Sequence, residues 1–436
     1  MVKICFIGAG STIFAKNVLG DAMLTSSLQD AEIALYDIDE NRLKESELML
    51  QTINKNSNQS RAKIQSFSDR KEALKDANFV INAIQVGGYK PSTVIDFEIP
   101  KKYGLQQTIG DTTGIGGIFR GLRTLPVMFD IAKDMEEVCP DAWLLNYTNP
   151  MAILTMGMLK ATKIKTVGLC HSVQVCVPEL FEHLGIKDQY NLDEFQWKIA
   201  VINHMAWLLE INRNGVDFYP EIRRLASEIA NPHKDSVRFE LMKHFGYYIT
   251  ESSEHNAEYH PYFIKKNYPE LIDQLQIPID EYLRRCVDQI AGWETQRDEI
   301  VNDGSLEHTR SREYASYIMD AITTGTPTMI AGNVLNKGLI TNLPEDCCVE
   351  VPCLVDKNGV QPTYVGKLPT QLAALNRTNI NVQELTVEAA MTLEKDKIYQ
   401  AALMDPHANA ELSISEIKAM VDELIAAHGD YLPAYK

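Results

Sequence analysis

The sequence predicts an α/β protein: a Rossmann-like, doubly wound parallel sheet followed by an α+β lobe. Three observations lead there. Short apolar runs alternate with amphipathic helical patterns through the N-terminal part of the chain; a glycine turn, Gly8-Ala9-Gly10, follows the first of those runs; and from Phe195 the pattern changes to longer strand-like alternation and then to helices.

Residues 3–7 read as the first strand, and residues 32–36, 79–84, 143–146 and 165–169 as its successors. Between them, residues 40–53, 121–138 and 151–160 carry apolar positions at helical spacing. Such a succession of βαβ units builds a parallel sheet with helices on both faces. Residues 1–195 are therefore expected to form a nucleotide-binding domain, and residues 196–436 a substrate-binding and oligomerisation lobe. In that lobe, residues 197–202 and 206–211 are expected to pair as a hairpin closed by Asn212-Arg213-Asn214-Gly215. Helices are expected over 220–245, 280–302, 310–323 and 386–402, with a β-rich interval at 328–365.

Composition bounds the function. A chain of 436 residues, 45% hydrophobic and 23% charged, without a low-complexity linker or fixed-period repeat, buries a large core. Its formal net charge of -17, uncompensated by any basic block, repels nucleic-acid phosphates and anionic membranes. Small molecules and copies of itself are the expected partners. The first apolar run is too short for a signal peptide or a membrane span, so a cytoplasmic location is expected. Eight cysteines without regular spacing read as reduced thiols, and Cys347, Cys348 and Cys353 as core rather than a zinc site.

Gly8, Gly10, Ser11 and Thr12 stand between the first strand and a helix, where small residues and free N–H groups admit a pyrophosphate. Ile13 occupies the third glycine slot of the dinucleotide pattern, so the turn alone is incomplete as a fingerprint. The second strand ends Tyr36-Asp37, and a carboxylate there bonds a ribose 2′-hydroxyl and repels a 2′-phosphate, which favours NAD over NADP. Gln85 and Gly87 follow the next core strand at the same edge.

Four polar clusters interrupt apolar strand ends: Asp111-Thr112-Thr113-Gly114, Asn146-Tyr147-Thr148-Asn149-Pro150, Gly168-Leu169-Cys170-His171-Ser172 and Ile202-Asn203-His204-Met205. Loops at such ends bind ligands, and their concentration points to one shared site. Asn149 also suits a helix cap before Pro150.

These clusters, with Phe6-Ile7-Gly8-Ala9-Gly10-Ser11-Thr12, Asn203-His204-Met205-Ala206, Thr250-Glu251-Ser252-Ser253-Glu254-His255 and Met404-Asp405-Pro406-His407, resemble the family 4 glycoside hydrolases, and at close range the melibiases among them. The resemblance runs from Lys3 to Pro433. It implies a fold like lactate and malate dehydrogenases and an NAD- and manganese-dependent α-galactosidase, acting on substrates such as melibiose or raffinose as a homodimer or homotetramer. It also implies a temporary oxidation of the sugar in place of paired carboxylic acids.

By that resemblance Cys170 and His204 hold the metal, His171 stands at the acid position where phospho-glycosidases carry Asp, and Asn149 touches substrate hydroxyls. The base position falls on Tyr247 or its neighbour Tyr248, and Asp111 raises that tyrosine's basicity. Ionising a free phenol near pH 7 costs about 4 kcal/mol, so a nearby cation has to help. His255 and Glu251 are second-tier substrate contacts and Arg285 a further candidate for a sugar hydroxyl; solvated helix charge is the plainer reading of this stretch. Two rivals share the fold: a 2-hydroxy-acid dehydrogenase, which needs no metal, and an NAD-responsive binding protein, which leaves the metal cluster idle.

Overall fold

The structure is a computed structural model and describes residues 1–229 and 232–436. Its centre is a nine-stranded sheet ordered β13-β12-β11-β6-β5-β4-β1-β2-β3. The strands are β1 (Lys3–Ile7), β2 (Glu32–Tyr36), β3 (Lys63–Phe67), β4 (Phe79–Asn82), β5 (Trp143–Asn146) and β6 (Lys165–Gly168), followed by β7 (Phe195–Ala200), β8 (Trp207–Arg213), β9 (Val216–Asp217) and β10 (Tyr248–Ile249) outside this sheet. β11 (Thr328–Leu335), β12 (Cys348–Asp356) and β13 (Gly359–Pro362) complete it. β1 to β6 are all parallel, in the 3-2-1-4-5-6 order of a dinucleotide-binding sheet, whose order reverses between β1 and β4.

The central strands read as continuous apolar runs because helices cover both faces; Ile4, Cys5, Phe6, Val80, Ile81 and Leu145 are fully buried. One face packs against the helices Gly114–Val138, Met151–Ala161 and Thr370–Thr392, the other against Thr12–Met23 and Glu40–Asn58.

Four expectations change. The edge strand β3 had no strong apolar signal, since its alternate positions face solvent. The β-rich interval at 328–365 does not stand in a separate lobe: β11 pairs antiparallel with β6 at Asn333 and Gly168, so residues from beyond 195 extend the N-terminal sheet. β7 and β8 do pair antiparallel, but residues 201–206 connect them, while the Asn214-Gly215 turn closes β8 onto β9. The longer helical stretches divide, with Tyr219–Glu228 and Ser236–Phe245 in place of one helix, and Thr370–Thr392 and Lys395–Met404 in place of another. The hairpin connection matters most, because it carries His204.

Candidate active site

The glycine turn packs against the carboxyl ends of β2 and β4. The N–H groups of Gly8 and Ala9 both donate to the Tyr36 carbonyl, at 3.0 and 3.1 Å. Gly8 has φ +90°, and a Cβ there would stand 2.6 Å from the Ala83 carbonyl oxygen, so glycine is required both for conformation and for space. Asp37 takes part in this turn: Gly10 N–H donates to its Oδ2 at 2.7 Å and Asp39 N–H to its Oδ1 at 2.9 Å. Its carboxylate thus lies beside the glycine turn, where the sequence put it, and braces that turn as well. Ser11 N–H donates back to the Gly8 carbonyl. The Thr12 side chain points inward and its hydroxyl accepts from Ser46 at 3.1 Å, which leaves its backbone as the part available to a phosphate. Gln85 is exposed and its amide reaches Thr93 at 3.4 Å, while Gly87 has φ +78° and lies against Ser92. A cleft of about 470 Å³ separates Ile13, beside the glycine turn, from Asp288, Gly292 and Gln296 on the helix Glu281–Ile300.

Across the edge of the sheet, Cys170 Sγ lies 3.2 Å from His204 Nε2. Glu251 Oε2 is 3.9 Å from the same nitrogen, and the ligand atoms of the three residues all lie within 4.8 Å of one another. Each comes from a different irregular segment: Cys170 just beyond β6, His204 between β7 and β8 with φ +64°, Glu251 just beyond β10 with φ +66°. The remaining ring nitrogen of His204 meets the Tyr259 hydroxyl at 3.1 Å, and the two rings are nearly parallel. With Nε2 turned toward Cys170, Nδ1–H donates to the phenol oxygen, the partner arrangement that fixes a metal-binding imidazole. A thiolate, an imidazole and a carboxylate converging this closely fit a divalent transition metal.

Charge is concentrated here. Burial opposes ionisation of His204, but the Cys170 thiol, Glu251 and Asp111 raise it to about 10. Burial likewise pushes Asp111 up, yet Arg120, His255 and His204 hold it below the ordinary carboxylate value. Glu251 is lowered against its own burial by His255 and His204. Asp111 Oδ1 accepts from Thr112 at 2.7 Å and Oδ2 from the Asn149 amide at 3.3 Å. Asn149 therefore does not cap a helix; Pro150 precedes Met151–Ala161 and no side chain caps it.

The family 4 glycosyl hydrolase model matches residues 3–186, and the family's C-terminal domain model matches residues 199–408. The chain belongs to family 4 of the glycosyl hydrolases. It is 64% identical to an alpha-galactosidase of Bacillus subtilis over the whole of both chains. A 6-phospho-alpha-glucosidase from gut microorganisms, solved with NAD and Mn2+, matches with TM-score 0.81 at 21% identity, covering all of both chains. A lactate dehydrogenase from a deep-sea metagenome matches with TM-score 0.53 at 14% identity over 89% of this chain and 99% of that one, in accord with the sheet order.

In this family 4 hydrolase His171 faces Glu313, with Nε2 2.8 Å from Oε2. That hydrogen bond first, against the opposing effect of burial, raises the imidazole above its usual value. His255 lies against both His204 and Glu251, 3.2 Å from Glu251 Oε1, and burial lowers it. Arg285 is half exposed and pairs with Glu281 at 2.8 Å and Glu254 at 3.3 Å.

The two tyrosines at the expected base position have different neighbours. The Tyr247 ring stands edge-on to Tyr219, 5.8 Å between centroids, and no hydrogen bond joins it to Cys170, His204 or Glu251 among the described residues. Tyr248 turns the other way and donates to Asp235 at 2.6 Å inside a buried group with Arg238. Tyr248 and Ile249 pair with β8 as the short strand β10, and Tyr247 precedes it. Two phenols meet the cluster: Tyr259 lies 3.1 Å from His204 Nδ1, and the Tyr314 hydroxyl accepts from Cys170 N–H at 2.8 Å.

Sequence reasoning missed Tyr259, Arg120, Glu313 and the metal-side placement of Glu251. Arg120 could have been found, with Arg123, as a charge in the apolar first half of the helix Gly114–Val138; buried, it donates to the Asn149 carbonyl at 3.2 Å and the Tyr282 hydroxyl at 3.3 Å. Glu258 holds the Asp111 loop from below, accepting from Thr108, Ile109 and Gly110 N–H groups.

Proposed function

We propose that this chain is an NAD- and manganese-dependent α-galactosidase that opens terminal α-galactosides such as melibiose or raffinose by redox elimination and water addition. The observation that carries the substrate is the 64% identity to the Bacillus subtilis alpha-galactosidase along the whole chain. The cofactor reading is supported by the 6-phospho-alpha-glucosidase solved with NAD and Mn2+ and by the donor sets described above.

Bound at these positions, the dinucleotide and the divalent ion supply a hydride acceptor for sugar carbon 3 and a Lewis acid for the oxygens on carbons 2 and 3. Cys170 and His204, with Glu251 as a third donor, hold the ion. Gly8, Gly10, Ser11, Thr12, Asp37, Gln85 and Gly87 form the dinucleotide edge. Asn149 and His255 orient sugar hydroxyls, and Arg285, tied to Glu254, borders the same site. His171, biased toward its protonated form by the Glu313 carboxylate, delivers a proton to the leaving oxygen.

The carbon 2 proton goes to a phenol. Tyr259 is the phenol that meets His204, at 3.1 Å from Nδ1, and burial first and then the Asp111 carboxylate push its pKa up; Tyr247 is the position against which it is tested.

Among the described residues no helix is long and apolar enough to cross a membrane, which accords with a cytoplasmic enzyme. We assign it the homodimeric or homotetrameric assembly of its family. The test is a panel of p-nitrophenyl α- and β-sugars, with and without a 6-phosphate, each with and without NAD and Mn2+. Release from the α-galactoside alone, and only with both additions, supports the proposal; release without either overturns the cofactor reading.

A further inference from the structure

Glu350 lies on β12, fully buried, behind the pair Cys170 and His204. Its backbone and its side chain attach to two different segments. Its N–H donates to the Val201 carbonyl at 3.0 Å and its carbonyl accepts from Val201 N–H at 3.2 Å, which locks the start of the connection that bears His204. Its carboxylate accepts from the Asn203 amide, at 3.4 and 3.5 Å, one residue before His204.

The same carboxylate accepts from the Asn333 amide at 3.1 Å. Asn333 is its register partner on β11 and in turn donates to the Gly168 carbonyl at 3.3 Å, two residues before Cys170. Glu350 is thus tied on one side, through Asn333, to the segment carrying the thiol and on the other, through Asn203, to the segment carrying the imidazole. His204 sits at a left-handed φ of +64°, a conformation that a histidine holds only where its surroundings impose it.

We propose that Glu350 is a positioning residue of the metal centre, setting the separation of Cys170 and His204 by holding Asn203 and Asn333 at once. The inference rests on the assignment of Cys170 and His204 as metal ligands. Outer groups that orient ligands without touching the ion change affinity by roughly 10- to 100-fold when removed.

Glu350→Gln is the informative variant, because its single carbonyl oxygen can still accept from Asn333 while its amide N–H groups turn toward the Asn203 amide, which cuts the link to the His204 segment. The probes are Mn2+, titrated by electron paramagnetic resonance, and Co2+, read through its thiolate charge-transfer band. The expected result is a 10- to 100-fold weaker Mn2+ affinity and an altered cobalt band, with NAD affinity and the metal-free melting temperature close to those of the unaltered protein. The exchange Asn203→Asp with Glu350→Gln, which restores a donor facing an acceptor, should recover most of the Mn2+ affinity. If Glu350→Gln does not fold, Asn203→Ala cuts the same link from the loop side and must show the same metal loss.

Native Mn2+ affinity and a native cobalt band in a folded Glu350→Gln or Asn203→Ala protein overturn the inference. So does a loss of Mn2+ affinity matched by an equal loss of NAD affinity and not recovered by the exchange. Failure of the unaltered protein to bind either ion overturns the metal assignment itself, and this inference with it.

Discussion

His171 Nε2 and Glu313 Oε2 lie 2.8 Å apart, and the carboxylate of that pair is buried while the imidazole is partly open to the site. The pair gives the candidate acid a fixed anionic partner. A free imidazole titrates near 6.5, and His171 is raised above that, first by its bond to Glu313.

The sign follows. The protonated form exists below the pKa, so turnover that needs it falls as pH rises through the raised value. Glu313→Gln removes the anion, so the alkaline limb of kcat/KM moves to lower pH. The stability contributed by the pair, present in full below the unfolded value near 6.5 and lost as pH rises through the folded one, shrinks in the same variant. An alkaline limb that stays in place in Glu313→Gln would remove His171 from the acid role. His171→Ala is expected to lose about 10²- to 10⁴-fold with a sugar leaving group and much less with p-nitrophenol, which needs little protonation.

Cys170 is only partly buried and is the one thiol of the cluster, so its oxidation state governs the site. Activity is expected to require a reductant, and Cys170→Ser to lose Mn2+ binding and turnover together, since a hydroxyl is a far poorer ligand than a thiolate at neutral pH. Titration of Mn2+ into the variant checks this; full activity of Cys170→Ser in chelator contradicts the metal assignment.

Asp37 accepts from Gly10 N–H at 2.7 Å and is proposed to face the ribose, and these roles separate by substitution. Asp37→Asn keeps an acceptor for Gly10 and removes the charge, so it should narrow the preference for NAD over NADP with a modest rise in the NAD KM. Asp37→Ala removes both and should raise the NAD KM further. Equal use of the two cofactors by the unaltered enzyme would show that the carboxylate does not face a ribose.

The elimination route replaces the carbon 2 proton from solvent, whereas paired carboxylates never touch it. Galactose released in deuterium oxide is therefore expected to carry deuterium at carbon 2. Tyr259→Phe should reduce turnover and deuterium exchange strongly and weaken Mn2+ about 10- to 100-fold, because it also removes the partner of His204 Nδ1. Tyr247→Phe should retain Mn2+ affinity and most of the exchange. The reverse pattern returns the base to Tyr247.

Much of this protein is legible in its sequence because the signals are local. The run Lys3–Ile7 followed by Gly8-Ala9-Gly10 makes a strand and a turn that only glycine satisfies, and Asp37 ends the neighbouring strand, so the dinucleotide edge follows from chain order and strand length. Cys170, His171 and Asn149 are likewise polar residues at the ends of apolar strands, where a parallel sheet exposes its loops. What only the tertiary structure decided depends on pairing over long distances in sequence. β11 joins β6 through one register pair, which brings Glu350 behind residues near Cys170 and 203, and nothing in the local pattern of Thr328–Leu335 specifies that partner. Glu251 and Tyr259 reach His204 because β10 pairs with β8 and a short helix, Ser253–Tyr259, turns back over the hairpin connection. Tyr259 went unnoticed in the sequence because spacing along the chain cannot report which of several tyrosines folds back onto His204. Hydrogen bonding, burial and the direction of the backbone at left-handed His204 and Glu251 set that, and they exist only once the chain has folded.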